Sequence, residues 1–427
     1  MQNRISRPSL WPSLAFVALG VLLFAVFQEV HGLGNLSTHV PEFAGLMLAA
    51  GGVYLIAAYL AERTALGWLS LTIILIAAAV FRVQLLRVSP SLSDDVYRYQ
   101  WEGRVLRAGI NPYRVAPSEP GMQAFQNPAH PIRTGRNLPT LYPPVGEILF
   151  AAVHSVRGYK RLYTGFDFAC IGMILLLLGA LRLPLHRVVI YAWNPAVLVS
   201  FALSAHNDAP AVFALMAATY FIIRKPGVVS NALLGVAALV KLFPAALLPL
   251  YLRRTKLAYA GIFATVIALG YLPFFGAGAD LFKGLHAFAR GWEANDSLFR
   301  LIRAAGNTKP QADLIAGLLF LALIAYVLKA KLDPLRASLW VVAGLLLLSS
   351  SAFPWYFTWF TPFLCFELNP ALLLVTVTCV LGYAPVITYV AGVSFRNPPL
   401  MLWLEYAPVY ALLAWQIAVS HRRARKA

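Results

Sequence analysis

Long apolar runs, broken by short basic or polar loops, dominate this chain. They fall at about 10–27, 43–60, 67–85, 162–181, 187–204, 209–223, 257–275, 312–328, 337–351, 354–368, 371–391 and 399–419. Each is roughly 16–20 residues long, near the length a helix needs to cross the hydrocarbon core of a bilayer. The pattern predicts an all-α polytopic membrane protein of about twelve spans, forming one domain over residues 1–427. The first run follows Arg4 and Arg7 and carries no small-residue cleavage site, so it reads as a retained span rather than a signal peptide.

The loops set the orientation. Arg4 and Arg7, Glu62–Arg63, Arg182 with Arg187, and Arg224–Lys225 recur on one side, which the positive-inside rule makes cytoplasmic. The segment 229–252 decides the rest. If it crossed once, Arg253, Arg254, Lys256 and every later basic cluster would fall outside. Lys241 and Pro244 sit in its middle, and proline removes a helix hydrogen bond where a turn is needed. A re-entrant hairpin is therefore expected, buried in protein or lining a cavity; the alternative is one kinked span. Both termini are then cytoplasmic. The polar motifs collect on the opposite face, in a first large outer loop at 87–161, a second at 276–311, and the turns near 205–208, 349–356 and 395–397.

Composition refines this reading. Only 12% of residues are charged and 60% are hydrophobic. The net charge of +18 would suggest nucleic acid in a soluble protein, but here the basic residues lie between apolar runs and at the ends, so nucleic-acid binding is excluded. Cys170, Cys365 and Cys379 lie in apolar runs, with neither metal-type spacing nor a disulfide framework.

The densest polar cluster is SDDVYRYQWEGRVLRAGINPY, Ser93 to Tyr113. Ser93 reads as an N-cap, with Gly109 and Asn111–Pro112 ending the helix. Tyr97, Trp101, Val105 and Ala108 form a stripe suited to the membrane interface. Acids favour a helix N-terminus in any case, and Asp94 could pair with Arg98 at i,i+4. Two acids where one would cap, beside a bilayer, make Asp94 and Asp95 candidates for a general base. Tyr142, in LYPP, is either a rigid helix entry or a wall of the site. His206, Asn207 and Asp208 exceed what a cap requires and are candidate sugar or phosphate contacts. One His and one Asp make no metal-specific spacing; no cofactor is required on this pattern, and a divalent cation is not indicated. Lys241, at depth, calls for an anionic partner such as a lipid phosphate. The second outer loop brings His286, Arg290, Trp292, Asn295 and Asp296, and Phe353-Pro354-Trp355-Tyr356 opens a later run. Aromatic residues collect at membrane interfaces anyway; stacking on carbohydrate is the functional alternative.

The ordered set SDDVYRYQWEGRVLRAGINPY, LYPP, WNP, HND, LVKLFP, WEANDSLF and FPWYFTWF resembles the GT-C glycosyltransferases, most closely the bacterial polyprenol-phosphate-mannose-dependent mannosyltransferases. The similarity runs from about residue 90 to 365. It implies a GT-C-like bundle in the bacterial inner (plasma) membrane with an extracytoplasmic active site. It also implies a polyprenyl-phosphate sugar donor, mannose or another hexose, and inverting transfer to a lipid or glycan acceptor. The acidic position falls on Asp94 or Asp95. Lys241 and Arg290 would hold the donor phosphate. His206, Asn207, Asp208, Tyr142, Trp292, Asn295, Trp355 and Tyr356 would hold sugar or acceptor. The rival is a transporter or flippase for a lipid-linked sugar, which would share the broken helix but favour inverted repeats; none is visible in the sequence.

Overall fold

The computed structural model describes residues 10–424 apart from 65 and 394; Arg4 and Arg7 lie outside the described residues. These residues fold into α, 3-10 and π helices. Among them there is no strand, only isolated bridges joining Asn127 to His130 and Ala294 to Ser351. Eight helical runs are long and apolar enough to cross a membrane: α1 (Trp11–Gly32), α2 (Val40–Arg63), α3 (Trp68–Leu85), Val156–Ala180, Leu257–Gly291, Lys309–Lys329, Pro370–Val390 and Pro399–Ser420. The protein is an all-α polytopic membrane protein. Two shorter helices follow α3: α4 (Asp95–Arg107) and α5 (Pro144–Ala152). The run Val156–Ala180 is α6, and α7 (Asp208–Arg224), α8 (Val228–Val240) and α9 (Leu248–Arg254) come next.

The four other predicted runs are short or broken. Two become helices of 17 and 15 residues, α7 and Pro334–Leu348. The run 187–204 splits into Leu185–Val188, Val189–Ala192, Pro195–Leu198 and a π turn at Val199–Leu203. The run 354–368 becomes a 3-10 helix at Pro354–Trp359 and one α turn at Thr361–Leu364. Burial explains the discrepancy. Every residue from Val188 to Val212 except Ala196 is buried. These runs are apolar because protein surrounds them, and hydropathy does not separate that from contact with lipid. By contrast, Ala260–Tyr271 buries no residue and presents its apolar surface outward.

The broken run is held by polar groups. Asn194 caps Pro195–Leu198, accepting from the amides of Ala196 and Val197, and its Nδ2 donates to Tyr54 Oη and Thr376 Oγ1. Trp193 Nε1 donates to the Ile74 carbonyl at 2.8 Å. Arg82 of α3 reaches Asp167 of α6 through two bonds, 2.6 and 3.1 Å, with both side chains wholly buried, and also donates to the Ala192 carbonyl. The WNP motif is thus an internal joint between spans.

The segment 229–252 turns back. α8 ends at Val240; Lys241 is extended (φ −148°, ψ 140°), and Phe243–Leu247 and α9 follow. Lys241 Nζ lies 3.2 Å from Asp208 at the start of α7, whereas Tyr251 meets Thr219, eleven residues further along the same helix. Arg253 then donates to the carbonyls of Leu328 and Leu332. Both ends of the segment therefore lie toward the Arg224 end of α7, and the break at Lys241 lies at the other.

Within 87–161, α4 begins one residue later than expected. Asp94 occupies the cap position, while Ser93 Oγ accepts from the Asp95 amide. Arg98 pairs with Glu102 (2.7 Å) rather than with Asp94. Trp101 and Val105 pack on Ile132, and Trp101 Nε1 donates to the Met122 carbonyl, so this stripe is an interior of protein and not a membrane face. α4 crosses α5 at Gly103, where a Cβ would stand 2.2 Å from the Phe150 carbonyl oxygen. Only glycine allows that approach.

Candidate active site

One cavity of about 820 Å³ gathers much of the predicted chemistry, a size suited to a small-molecule ligand. Asp94, Asp95, Tyr142, Lys241, Trp292, Trp355 and Tyr356 line it. His206, Asn207 and Asp208 are fully buried behind that wall. Arg290 is exposed and stands outside the lining, although its neighbour Gly291 belongs to it. Asn295 also lies outside it. Its amide donates to Asn397 Oδ1 at 2.7 Å, its Nδ2 to Glu405 and the Ala352 carbonyl, and its carbonyl accepts from Tyr406. It ties the segment 276–311 to the last helix. Asp296 is taken by Arg300 at 2.7 Å.

The two adjacent acids have different surroundings. Asp94 Oδ2 accepts from the Thr134 amide (3.2 Å) and Tyr389 Oη (3.5 Å). Burial, then the charge of Asp95, raises its pKa. The Asp95 carboxylate accepts no backbone hydrogen bond; it is 26% exposed and lies 3.4 Å from His206 Nδ1.

Lys241 is a largely buried cation of the wall. Its Nζ contacts Asn207 Oδ1 at 3.0 Å and Asp208 Oδ2 at 3.2 Å. It also lies 5.5 and 5.4 Å from the ring centres of Tyr142 and Tyr356. Asp208 is held by Trp359 Nε1 at 2.6 Å as well. HND therefore serves first to seat this lysine: Asn207 and Asp208 point at Lys241, and Tyr99 Oη donates to Asn207. A lysine tethered in this way at the edge of an aromatic cage still has one N–H donor for an anion in the cavity.

Sequence reading missed several lining groups. Arg98, Glu102, His130, Arg133, Thr134 and Tyr389 all face the cavity. His130 stacks on Tyr97 with ring centres 4.1 Å apart. His130, Arg133 and Thr134 come from a loop without periodicity, and no local signal marks them. Beneath them Glu102 and Glu147 are both fully buried. Thr140 Oγ1 donates to Glu147 (2.5 Å), and each glutamate keeps one oxygen without a partner. Burial first, then on Glu147 the charge of Glu102, raises both pKa values. Their stabilising contribution is thus complete below the ordinary glutamate pKa and is lost as pH rises through the raised values. Glu147→Gln is expected to flatten the fall in thermal midpoint as pH rises above the ordinary glutamate pKa, measured by scanning fluorimetry.

Among the described residues no three His, Cys, Asp or Glu side chains converge as a metal-type cluster. Residues 13–254, more than half the chain, match the MptA_B family model, described as alpha-(1->6)-mannopyranosyltransferase, N-terminal domain. The chain belongs to this family. No curated protein and no solved structure matches it. This mannosyltransferase is therefore a membrane glycosyltransferase that acts with a sugar donor and an acceptor, in keeping with the GT-C resemblance. The match begins well before the resembling motifs, at residue 13, and it includes Asp94, Asp95, His206 and Lys241.

Proposed function

We propose that this mannosyltransferase moves mannose from a polyprenyl-phosphate donor to a lipid or glycan acceptor by single displacement. The observation that carries the reading is one cavity wall bearing both a carboxylate without backbone ties, Asp95, and a caged cation, Lys241. Asp95 removes the proton of the acceptor hydroxyl as its oxygen attacks the anomeric carbon. The carbon–oxygen bond to phosphate breaks with its electron pair going to the phosphate, and Lys241 stabilises that charge. Arg133 and Arg98 line the cavity and take the assisting role first given to Arg290. An α-(1→6) product, as in the family's description, would require a β-configured donor and a primary hydroxyl as nucleophile. Phe288, Trp292, Phe353, Val390 and Phe395 form an apolar flank, with Val390 and Phe395 exposed, where a polyprenyl chain can approach from the bilayer. The basic clusters at Arg187 and Arg253 lie at the other end of the bundle, so the positive-inside rule faces the cavity away from the cytoplasm, with both termini inside.

The test is purified protein in nanodiscs with labelled polyprenyl-phosphate mannose and a mannoside acceptor. A new α-glycosidic bond supports the reading; movement of the donor across the bilayer without bond formation would replace it with the flippase. Lys241→Gln, paired with Asp208→Asn so that no buried charge is left alone, is expected to lower kcat/KM for the donor about 10–100-fold. An unchanged kcat/KM would remove Lys241 from phosphate binding.

A further inference from the structure

The backbone before His206 has an unusual shape. Val199–Leu203 is a π turn, the Ser204 amide reaches back to the Val199 carbonyl, and Ala205 sits in the left-handed region at φ 58°. A non-glycine residue there, directly after a π turn, marks a segment held against its local preference. The strained stretch ends at His206, whose amide donates to the Ser200 carbonyl at 2.9 Å. The imidazole is wholly buried and stacks on Trp355, with ring centres 3.9 Å apart and planes 14° apart. Among the described residues neither ring nitrogen has a hydrogen-bond partner. The one ionisable group at Nδ1 is Asp95 Oδ2, 3.4 Å away. A buried imidazole without hydrogen bonds loses solvation with no return, so a structural role alone does not account for it.

We propose that His206 is a positioning residue that holds Asp95 at Oδ2 and receives the proton Asp95 removes from the acceptor. The inference rests on the reading of Asp95 as the base. As the acceptor oxygen bonds to the anomeric carbon, its proton passes to Asp95 and then to neutral His206 Nδ1. This leaves an imidazolium on the face of Trp355, beside the restored carboxylate. The proton then returns through Asp95, 26% exposed, to water. Trp355 keeps the ring plane fixed, so Nδ1 meets Asp95 at each turnover. The other charged or titratable groups around this point are Asp94, the Lys241–Asp208 pair, Tyr99, Tyr142, Tyr356 and Tyr383.

Two variants separate the parts of this role. His206→Phe keeps the stack on Trp355 and removes both nitrogens. His206→Asn places an amide nitrogen near the position of Nδ1 but takes no proton. With labelled polyprenyl-phosphate mannose, kcat is expected to fall about 100-fold in His206→Phe and less in His206→Asn, with donor KM within about twofold of wild type. Wild-type kcat in both variants would overturn the proposal, as would a raised donor KM with unchanged kcat, which would make His206 a substrate contact. His206→Asn, the smaller change, serves if His206→Phe does not fold. Asp95→Asn is assayed alongside. If it is inactive while both His206 variants work normally, only this inference fails; if it is active, the base assignment fails first.

Discussion

Asp95→Asn should lower kcat for mannosyl transfer by about 10²–10⁴-fold, the range expected when a general base is removed. Asp94→Asn should lose much less. The structure separates the pair by their surroundings. Asp94 is tied to the Thr134 amide and Tyr389, and burial favours its protonated form. Asparagine at 94 would still accept from the Thr134 amide. Asp95 faces the cavity with no backbone partner, so asparagine there retains the shape and removes the proton acceptor. Donor KM should change little in Asp95→Asn, because the carboxylate acts on the acceptor and not on the phosphate. Initial rates at saturating donor and acceptor measure this. Equal losses in the two variants would show that the acids act as a unit; a larger loss in Asp94→Asn would reverse the assignment.

Arg82→Leu should destabilise the protein by about 3–5 kcal/mol, the cost of leaving one member of a buried ion pair alone. Asp167 would remain ionisable and wholly buried beside apolar helices, with both its bonds to Arg82 gone. The Ala192 carbonyl would lose its guanidinium donor too, loosening the joint that leads to Trp193 and Asn194. The double variant Arg82→Leu/Asp167→Leu should recover most of the loss, because a desolvated pair replaced by well-packed apolar groups is often near neutral. Thermal midpoints in detergent, with yield of folded protein, read both effects. If the double variant is no more stable than Arg82→Leu, the damage comes from the Ala192 contact and not from the stranded charge.

Much of the site was visible in the chain because buried polarity is rare in apolar sequence. Asp94, Asp95, Lys241, Trp292, Trp355 and Tyr356 stood out against their runs, and all of them line the cavity. Arg133 and His130 did not stand out, since a charged residue in a polar loop is ordinary. Asn295 and Arg290 looked equivalent to Trp292 in sequence, yet one is a structural knot and the other is exposed outside the lining. WNP, one of the motifs that carry the GT-C resemblance, is a joint between spans.

The sequence by itself determined that the chain is helical and membrane-embedded, that residues 229–252 break at Lys241, and that acids and a deep lysine mark one region. Those are properties of local hydropathy and of backbone chemistry, which neighbouring residues report. Tertiary structure alone decided which carboxylate of the pair is tied to the backbone, that Asp208 belongs to Lys241, and that His206 stands behind Asp95. Contacts such as Trp359 with Asp208 join residues 151 positions apart, and periodicity carries no information over that distance. It also decided that the runs 187–204 and 354–368 are irregular. A segment enclosed by protein on all sides needs apolar side chains just as a lipid-facing helix does, so only packing distinguishes them.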